Sequence, residues 1–481
     1  MQKIQNFING EFHAPISNQY IDNYDPSTGE VYSLIPDSDE RDVEQAVRAA
    51  SDAFHDWSTM PKDHRSKILV RLSELIEENI DAFALAESID NGKPVWLARA
   101  VDIPRAVANF HFYATASLHL ASEAHPMEGT ALNYTLRTPV GIAGCISPWN
   151  LPLYLYSWKI APALAAGCTV VSKPSEITPM TAYLLAELCN KAGLPKGVLN
   201  IVHGYGHKTG MAIISHPQIP AISFTGGTKT GETIARAAAP MFKKLSLELG
   251  GKNPNIIFAD ADFEKAVHTS IRSSFSNQGE ICLCGSRIFI ERSIYDKFKT
   301  AFIAETKKLK VGDPKDKETW IGAIVSKPHK EKILSYIDLA KKEGGKILCG
   351  GNEVKLNGRC ANGYFIEPTV IEGLSHDCRT NQEEIFGPVV TLQPFDTEEE
   401  VLRYANSTPY GLASTLWTSN LTRAHRVAAG IHSGIVWVNC WLLRDLRTPF
   451  GGMKGSGVGR EGGFEALKFF MEEKNVCVRL I

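Results

Sequence analysis

Between Val140 and about Asp260, five short apolar runs alternate with segments of helical character, and nothing else in the chain restricts its fold as much. The runs are Gly141–Ile146, Thr169–Ser172, Leu199–Val202, Ala221–Phe224 and Asn255–Phe258. Strands separated by helices predict a parallel α/β sheet. A second α/β region follows, with Ser286–Ile290, Ala323–Val325, Thr369–Ile371 and Ile435–Val438 as candidate strands. Upstream, Val43, Ala46, Val47, Ala50, Ala53, Phe54 and Trp57 keep the spacing of one helix face, and a second periodic stretch runs from Ile68 to Ile80. The opening quarter therefore reads as helices after short strands. Asn475 to Leu480 reads as an exposed terminal strand, paired within a small sheet or with another subunit, or left as a plain edge.

A chain of 481 residues has room for two or three domains. A formal net charge of −2 supplies no basic field for nucleic acid or an anionic membrane, so neither is expected as a partner. No run of about 18 apolar residues occurs, and the N-terminal segment lacks an apolar stretch followed by a small-residue cleavage site. The ten cysteines are scattered; Cys282 and Cys284 are too close for an easy disulfide, and no second pair completes a zinc site. Reduced thiols in a cytoplasmic setting, without a metal, are expected.

Phe224-Thr225-Gly226-Gly227-Thr228 follows a strand and opens a helix expected over Glu232–Ala239. Glycines there let backbone N–H groups and the positive helix end approach a pyrophosphate. Glu232 stands where a Walker A loop needs lysine, and neither this segment nor Gly204, Gly206 and Gly210 fits the G-x-G-x-x-G fingerprint. Taken alone, glycines at a strand–helix junction are more often just turns. Lys173-Pro174-Ser175-Glu176 ends another strand, where α/β sheets bind ligands. Lys173 and Glu176 could each hold a ribose hydroxyl, and the Glu176 carboxylate would repel a 2′-phosphate, favouring NAD over NADP.

Three segments carry candidate chemistry. Asn277-Gln278-Gly279-Glu280-Ile281-Cys282 puts a cysteine in a glycine turn, where a thiolate can face a pocket instead of core. Glu248, in Leu247-Glu248-Leu249-Gly250-Gly251, is a carboxylate in an apolar stretch, where desolvation raises its pKa toward that of a general base. Asn150, between Pro148 and Pro152, is held stiffly enough to offer its amide to an oxyanion. Each has a bland reading too: a core cysteine, a structural carboxylate, a turn asparagine.

Together these segments form an ordered set: S-P-W-N at 147–150, K-P-S-E at 173–176, F-T-G-G-T at 224–228, E-L-G-G-K-N-P at 248–254, N-Q-G-E-I-C at 277–282, E-E-I-F-G-P at 383–388 and P-F-G-G-M-K-G-S-G-V-G-R-E at 449–461. In this set the chain resembles the aldehyde dehydrogenase superfamily along essentially its whole length. The resemblance implies an α/β fold: a Rossmann-like NAD-binding domain (1–116 and 138–248), an α/β catalytic domain (249–461) and a small β oligomerisation arm (117–137 and 462–481) of a homodimer or homotetramer. It implies that Cys282 attacks the aldehyde, that Asn150 and the Cys282 N–H hold the oxyanion, and that Glu248 activates water. It implies an NAD surface of Ile146, Ser147, Pro148 and Trp149; Lys173, Ser175 and Glu176; Gly206 and Gly210; Phe224, Thr225, Gly226 and Gly227; Leu249 and Gly250; and Glu384 and Phe386. Cys284 falls outside the nucleophile position. One departure is Gly227, where many members carry a serine that helps hold the pyrophosphate. The competing reading, a fold kept only to bind NAD, is opposed by Cys282, Glu248 and Asn150 standing together.

Val101–Arg105 and Asn439–Phe450 resemble segments of the dehydrogenases that oxidise muconic semialdehydes, and N-Q-G-E-I-C-L-C at 277–284 with N-C-W-L-L-R at 439–444 puts the 2-amino compound before the 2-hydroxy one. An arginine in the substrate pocket can take a carboxylate in a bidentate fork, whereas a neutral aldehyde would not compensate for burying it. Arg105 and Arg444 are the expected clamp, with Arg447 a weaker candidate. A substrate with an aldehyde at one end and a carboxylate at the other is therefore expected.

Overall fold

The computed structural model describes residues 1–480. Its largest sheet has eight strands in the order Gly457–Val458, Lys244–Glu248, Ala221–Thr225, Ile142–Ile146, Thr169–Lys173, Leu199–Ile201, Asn6–Ile8 and Glu11–His13. The middle five are parallel, as the alternation of apolar runs and helices predicts. All residues of the strands Ile142–Ile146, Thr169–Lys173 and Ala221–Thr225 are buried, because helices cover both faces. Helix Glu40–Thr59 covers one face, starting from the Asp39 capping box and burying Val43, Ala46, Val47, Ala50 and Trp57. Helix Pro152–Ala166 is buried along its whole length and ends at Gly167, whose φ is +98°.

A second sheet of seven strands follows, in the order Lys346–Cys349, Thr369–Glu372, Val389–Phe395, Arg287–Glu291, Pro254–Ile257, Ala413–Trp417 and Ile435–Val438. Every neighbouring pair is parallel except the outermost, Lys346–Cys349 with Thr369–Glu372. The expected strand Ala323–Val325 is absent. The segment is buried and extended, but its N–H groups go to the Gly92 carbonyl (2.9 Å), the Tyr364 carbonyl (2.6 Å) and a Glu280 carboxylate oxygen (3.2 Å) instead of to a ladder. An apolar run whose donors are claimed one by one gives no strand.

The C-terminal strand Met471–Arg479 pairs antiparallel with Ala131–Pro139 of the same chain, in register from Met471 opposite Pro139 to Arg479 opposite Ala131. Ala124–Met127 completes this three-stranded sheet, in which Met471–Arg479 is an edge. No helix among the described residues is long and apolar enough to cross a membrane.

Gly322 is packed against the Gly92 carbonyl oxygen so closely that a Cβ could not be accommodated without backbone movement. Gly322→Ala is therefore expected to destabilise the protein by about 1–3 kcal/mol. Denaturant unfolding checks this, with Gly344→Ala unsuitable as a control because Gly344 has φ +88°.

Candidate active site

Parallel sheets present loops at the carboxyl ends of their strands, and here such loops of the first sheet meet segments that lead into strands of the second. From the first sheet come Ser147–Leu151 after strand Ile142–Ile146, Gly226–Gly227 after Ala221–Thr225, and Glu248 at the end of Lys244–Glu248. From the second come the 276–286 segment before Arg287–Glu291 and the 383–388 segment before Val389–Phe395. Two cavities open between them. One, of about 270 Å³, is lined by Pro148, Trp149, Asn150, Thr225, Gly226, Gly227, Leu249, Gly250, Cys282, Glu384 and Phe386, with His329 and Lys332. The other, of about 240 Å³, is lined by Glu248, Cys282, Tyr154, Arg444, Phe450 and Glu461 among others. Cys282 belongs to both walls.

The cysteine loop is pinned from behind. Asn253 Nδ2 donates to the Cys282 carbonyl (2.7 Å) and the Cys284 carbonyl (2.9 Å), while Trp441 Nε1 holds the Leu283 carbonyl (3.0 Å). Burial pushes the Cys282 thiol well above its ordinary value; Glu384 and Glu248 push the same way, and Arg444 opposes them. These surroundings favour the thiol over the thiolate. All ten cysteines are free, and Cys284 is buried.

Glu248 is 3% exposed, and neither carboxylate oxygen has a hydrogen-bond partner. Burial raises its pKa far above the carboxylate range, and the neighbouring Glu461 carboxylate adds to the rise. Glu461 is held by Lys159 Nζ at 2.8 Å and Ser223 Oγ at 3.2 Å. Gly451 leaves the room that Glu248 needs, since a Cβ there would lie 2.8 Å from Glu248 Oε1. Asn150 is 3% exposed, and its side-chain amide donates to no described residue.

The first cavity has the donors a dinucleotide requires. Gly227 caps helix Thr228–Ala238 without a side-chain partner for its first N–H groups, and the Thr225 and Thr228 hydroxyls are buried without partners. Nothing lies within 4 Å of a Cβ built on Gly227, so its missing hydroxyl is a matter of chemistry, not of space. Ile146, Ser147 and Phe224 stand just behind the lining; the Phe224 ring packs under Gly226. Lys173, Glu176, Gly206 and Gly210 gather beside it, not on its wall. Lys173 Nζ donates to Glu176 Oε2 (2.8 Å) and the Gly206 N–H to Glu176 Oε1 (3.3 Å), while Gly210 packs on the Lys173 stem. Burial opposes the Glu176 charge, yet Lys173 holds its pKa below the usual value. The Ser175 Oγ accepts from the Ile177 N–H (3.2 Å). Glu384 Oε1 accepts from the Gly251 N–H (2.8 Å), and Trp149 meets Phe386 edge-on at 5.2 Å.

Sequence reasoning missed His329 and Lys332. They lie three residues apart on helix Lys327–Lys342, whose face toward the cleft no motif marks. His329 Nε2 contacts the Phe386 carbonyl at 2.7 Å, and burial lowers its pKa to about 4.

Arg444 reaches the second cavity, with Nη1 donating to Tyr154 Oη (2.8 Å) and its guanidinium 3.9 Å above the Phe450 ring. It has no carboxylate partner among the described residues. Arg105 does not line the cavity; it stacks on Tyr154 (5.5 Å) and Trp158 (5.9 Å), with Nε and Nη2 buried and unpartnered. Arg447 is exposed and paired with Asp445 at 2.6 Å.

The aldehyde dehydrogenase family model matches residues 12–476, so the chain belongs to that family. It is an oxidoreductase acting on aldehydes with NAD as acceptor. The human 2-aminomuconic semialdehyde dehydrogenase is 53% identical over 479 residues, covering 99% of this chain and 98% of that one. The 2-hydroxymuconic semialdehyde dehydrogenase of Pseudomonas sp. (strain CF600) is 46% identical over 486 residues, with 100% of each covered. An NAD⁺ complex of aldehyde dehydrogenase from Bacillus cereus superposes with a TM-score of 0.97 at 41% identity, over 100% of this chain and 97% of that one.

A carboxyl whose folded pKa is raised adds stability below its unfolded value and loses it as pH rises through the folded one. Glu248→Gln is therefore expected to have a higher Tm than the parent protein at alkaline pH, the gap growing as pH rises above the ordinary carboxylate range. Calorimetry across that range checks it.

Proposed function

We propose that this enzyme oxidises a carboxylate-bearing semialdehyde, 2-aminomuconate 6-semialdehyde first and its 2-hydroxy counterpart second. The observation that carries the reading is Arg444, a guanidinium without an acidic partner on the wall of the cavity that holds Cys282 and Glu248. A carboxylate there would gain a charge-assisted pair, and a neutral aldehyde would leave the cation unanswered. Arg105, with two buried unpartnered N–H groups one aromatic ring behind, adds positive potential to the same end. The names borne by the human and Pseudomonas relatives agree with this choice.

In the proposed sequence the Cys282 thiol passes its proton to water and its sulfur attacks the aldehyde carbon. The oxygen becomes an oxyanion held by the Asn150 amide and the Cys282 backbone N–H, neither of which has another acceptor. Bound NAD supplies the two-electron acceptor that brings this carbon to the acid level, leaving a thioester on Cys282. Glu248, once ionised, takes a proton from a water that attacks the thioester; the acid leaves and the thiol is restored. Lys173 and Glu176 would hold the adenosine ribose, Glu384 the nicotinamide ribose, and Trp149, Phe224 and Phe386 would line the cofactor cleft, with the N-terminus of helix Thr228–Ala238 toward the pyrophosphate.

The family acts on small aldehydes and is generally oligomeric. For this chain we propose a homodimer or homotetramer in the cytoplasm, with 1–116 and 138–248 as the NAD-binding domain, 249–461 as the catalytic domain, and 117–137 with 462–481 as the arm.

Comparing kcat/KM for 2-aminomuconate and 2-hydroxymuconate semialdehydes with that for neutral aldehydes tests the assignment; a neutral aldehyde as best substrate would overturn it. Cys282→Ala is expected to abolish NADH formation while NAD still binds, and Glu248→Ala to accumulate an acyl mass on the intact protein. Arg444→Ala should raise KM for 5-oxopentanoate roughly ten- to a hundredfold. An equal rise for pentanal would remove the carboxylate argument.

A further inference from the structure

The Asn150 amide and the Cys282 N–H arrive from different sheets, and their separation has to be fixed before they can share one oxygen. Among the described residues, one side chain hydrogen-bonds to both segments. Asn277 Nδ2 donates to the Asn150 carbonyl at 3.0 Å and to the Glu280 carbonyl, two residues before the cysteine, at 3.2 Å. Asn277 is completely buried.

The backbone that aims this amide is unusual. Asn277, Gln278 and Gly279 have φ of +52°, +57° and +72°, three left-handed residues in succession. Only glycine adopts that conformation freely, and asparagine tolerates it better than most others. Such conformations persist where the surroundings over-determine them and where function needs them. Here Gln278 Nε2 is anchored to the Ala323 carbonyl at 3.2 Å, and Gly279 packs against the Gly387 carbonyl with no room for a Cβ. The Asn150 carbonyl also accepts from Lys93 Nζ (3.1 Å) and Asn91 Nδ2 (3.4 Å). Those two hold Asn150 on its own side and make no hydrogen bond to the cysteine loop.

We infer that Asn277 is a positioning residue of the oxyanion site, its amide setting the distance between the Asn150 side chain and the Cys282 N–H. The inference rests on the oxyanion roles proposed above for those two groups. Asn277 acts through them and touches neither the reacting carbon nor the oxygen.

Asn277→Gly removes the amide while keeping a backbone that accepts positive φ without strain. With 5-oxopentanoate and NAD, kcat is expected to fall about ten- to a hundredfold, with KM within about threefold of the parent value. Alkylation of Cys282 by iodoacetamide, a displacement that builds no oxyanion, should keep its rate within about twofold. Asn277→Asp, isosteric but with carboxylate oxygens facing two carbonyls, should lose kcat in the same way and serves if the glycine variant does not fold. A kcat within about twofold of the parent in either folded variant would overturn the inference. So would alkylation slowing in proportion to kcat, which would mark a general displacement of the loop. Asn150→Ala is the reference: full activity in that variant would end the oxyanion reading itself, whereas its loss beside an unaffected Asn277→Gly would end only the tether.

Discussion

The sulfur of Cys282 is carried by one sheet, and the groups that would serve it, Asn150 and Glu248, are carried by the other. Everything else in the molecule follows from holding two sets of strand-end loops face to face. The lining of the two cavities, the pinning of the cysteine loop by Asn253 and Trp441, and the glycine contacts at 250, 279 and 451 all serve that register. Cys282 at the junction of both cavities would allow an aldehyde to enter from one side and a dinucleotide to lie on the other.

The electrostatics divide along the same line. On the side of Glu248, acids crowd together out of water, and the cations near them are Arg460, Lys159, which is bound to Glu461, and Arg444, which has no acidic partner among the described residues. Burial beside the Glu461 carboxylate pushes Glu248 toward its protonated form at a pH where free carboxyls are ionised, a condition suited to proton transfer with water near neutrality. On the cofactor side, the helix N-terminus offers backbone N–H groups and hydroxyls, which can hold phosphate oxygens without adding a strong field at the sulfur, and Lys332 is the one cation among the described residues of that wall.

Much of this was legible in the sequence because the strands of the first sheet are buried on both faces and read as unbroken apolar runs. The strand Lys244–Glu248 was not legible: it has two leucines among a lysine, a serine and the glutamate itself, and lies beside the sheet's edge. Ala413–Trp417, with its alanine, serine and threonine, was equally silent although every residue is buried. Ala323–Val325 misled in the other direction, since hydrophobicity reports burial but not where the N–H groups go. Motifs brought Cys282, Glu248, Asn150 and the Gly226–Gly227 turn into view because each is set by a local backbone shape. His329, Lys332 and the position of Arg105 behind Tyr154 depend on how whole helices are docked, which no short window encodes.

The imidazole of His329 sits against Trp149 and Phe386 with a pKa near 4. It therefore carries no charge across the range in which cells operate. A cofactor whose own charge is fixed would meet an uncharged ring here, so acidification within that range would leave its contact with a bound dinucleotide unchanged at this residue.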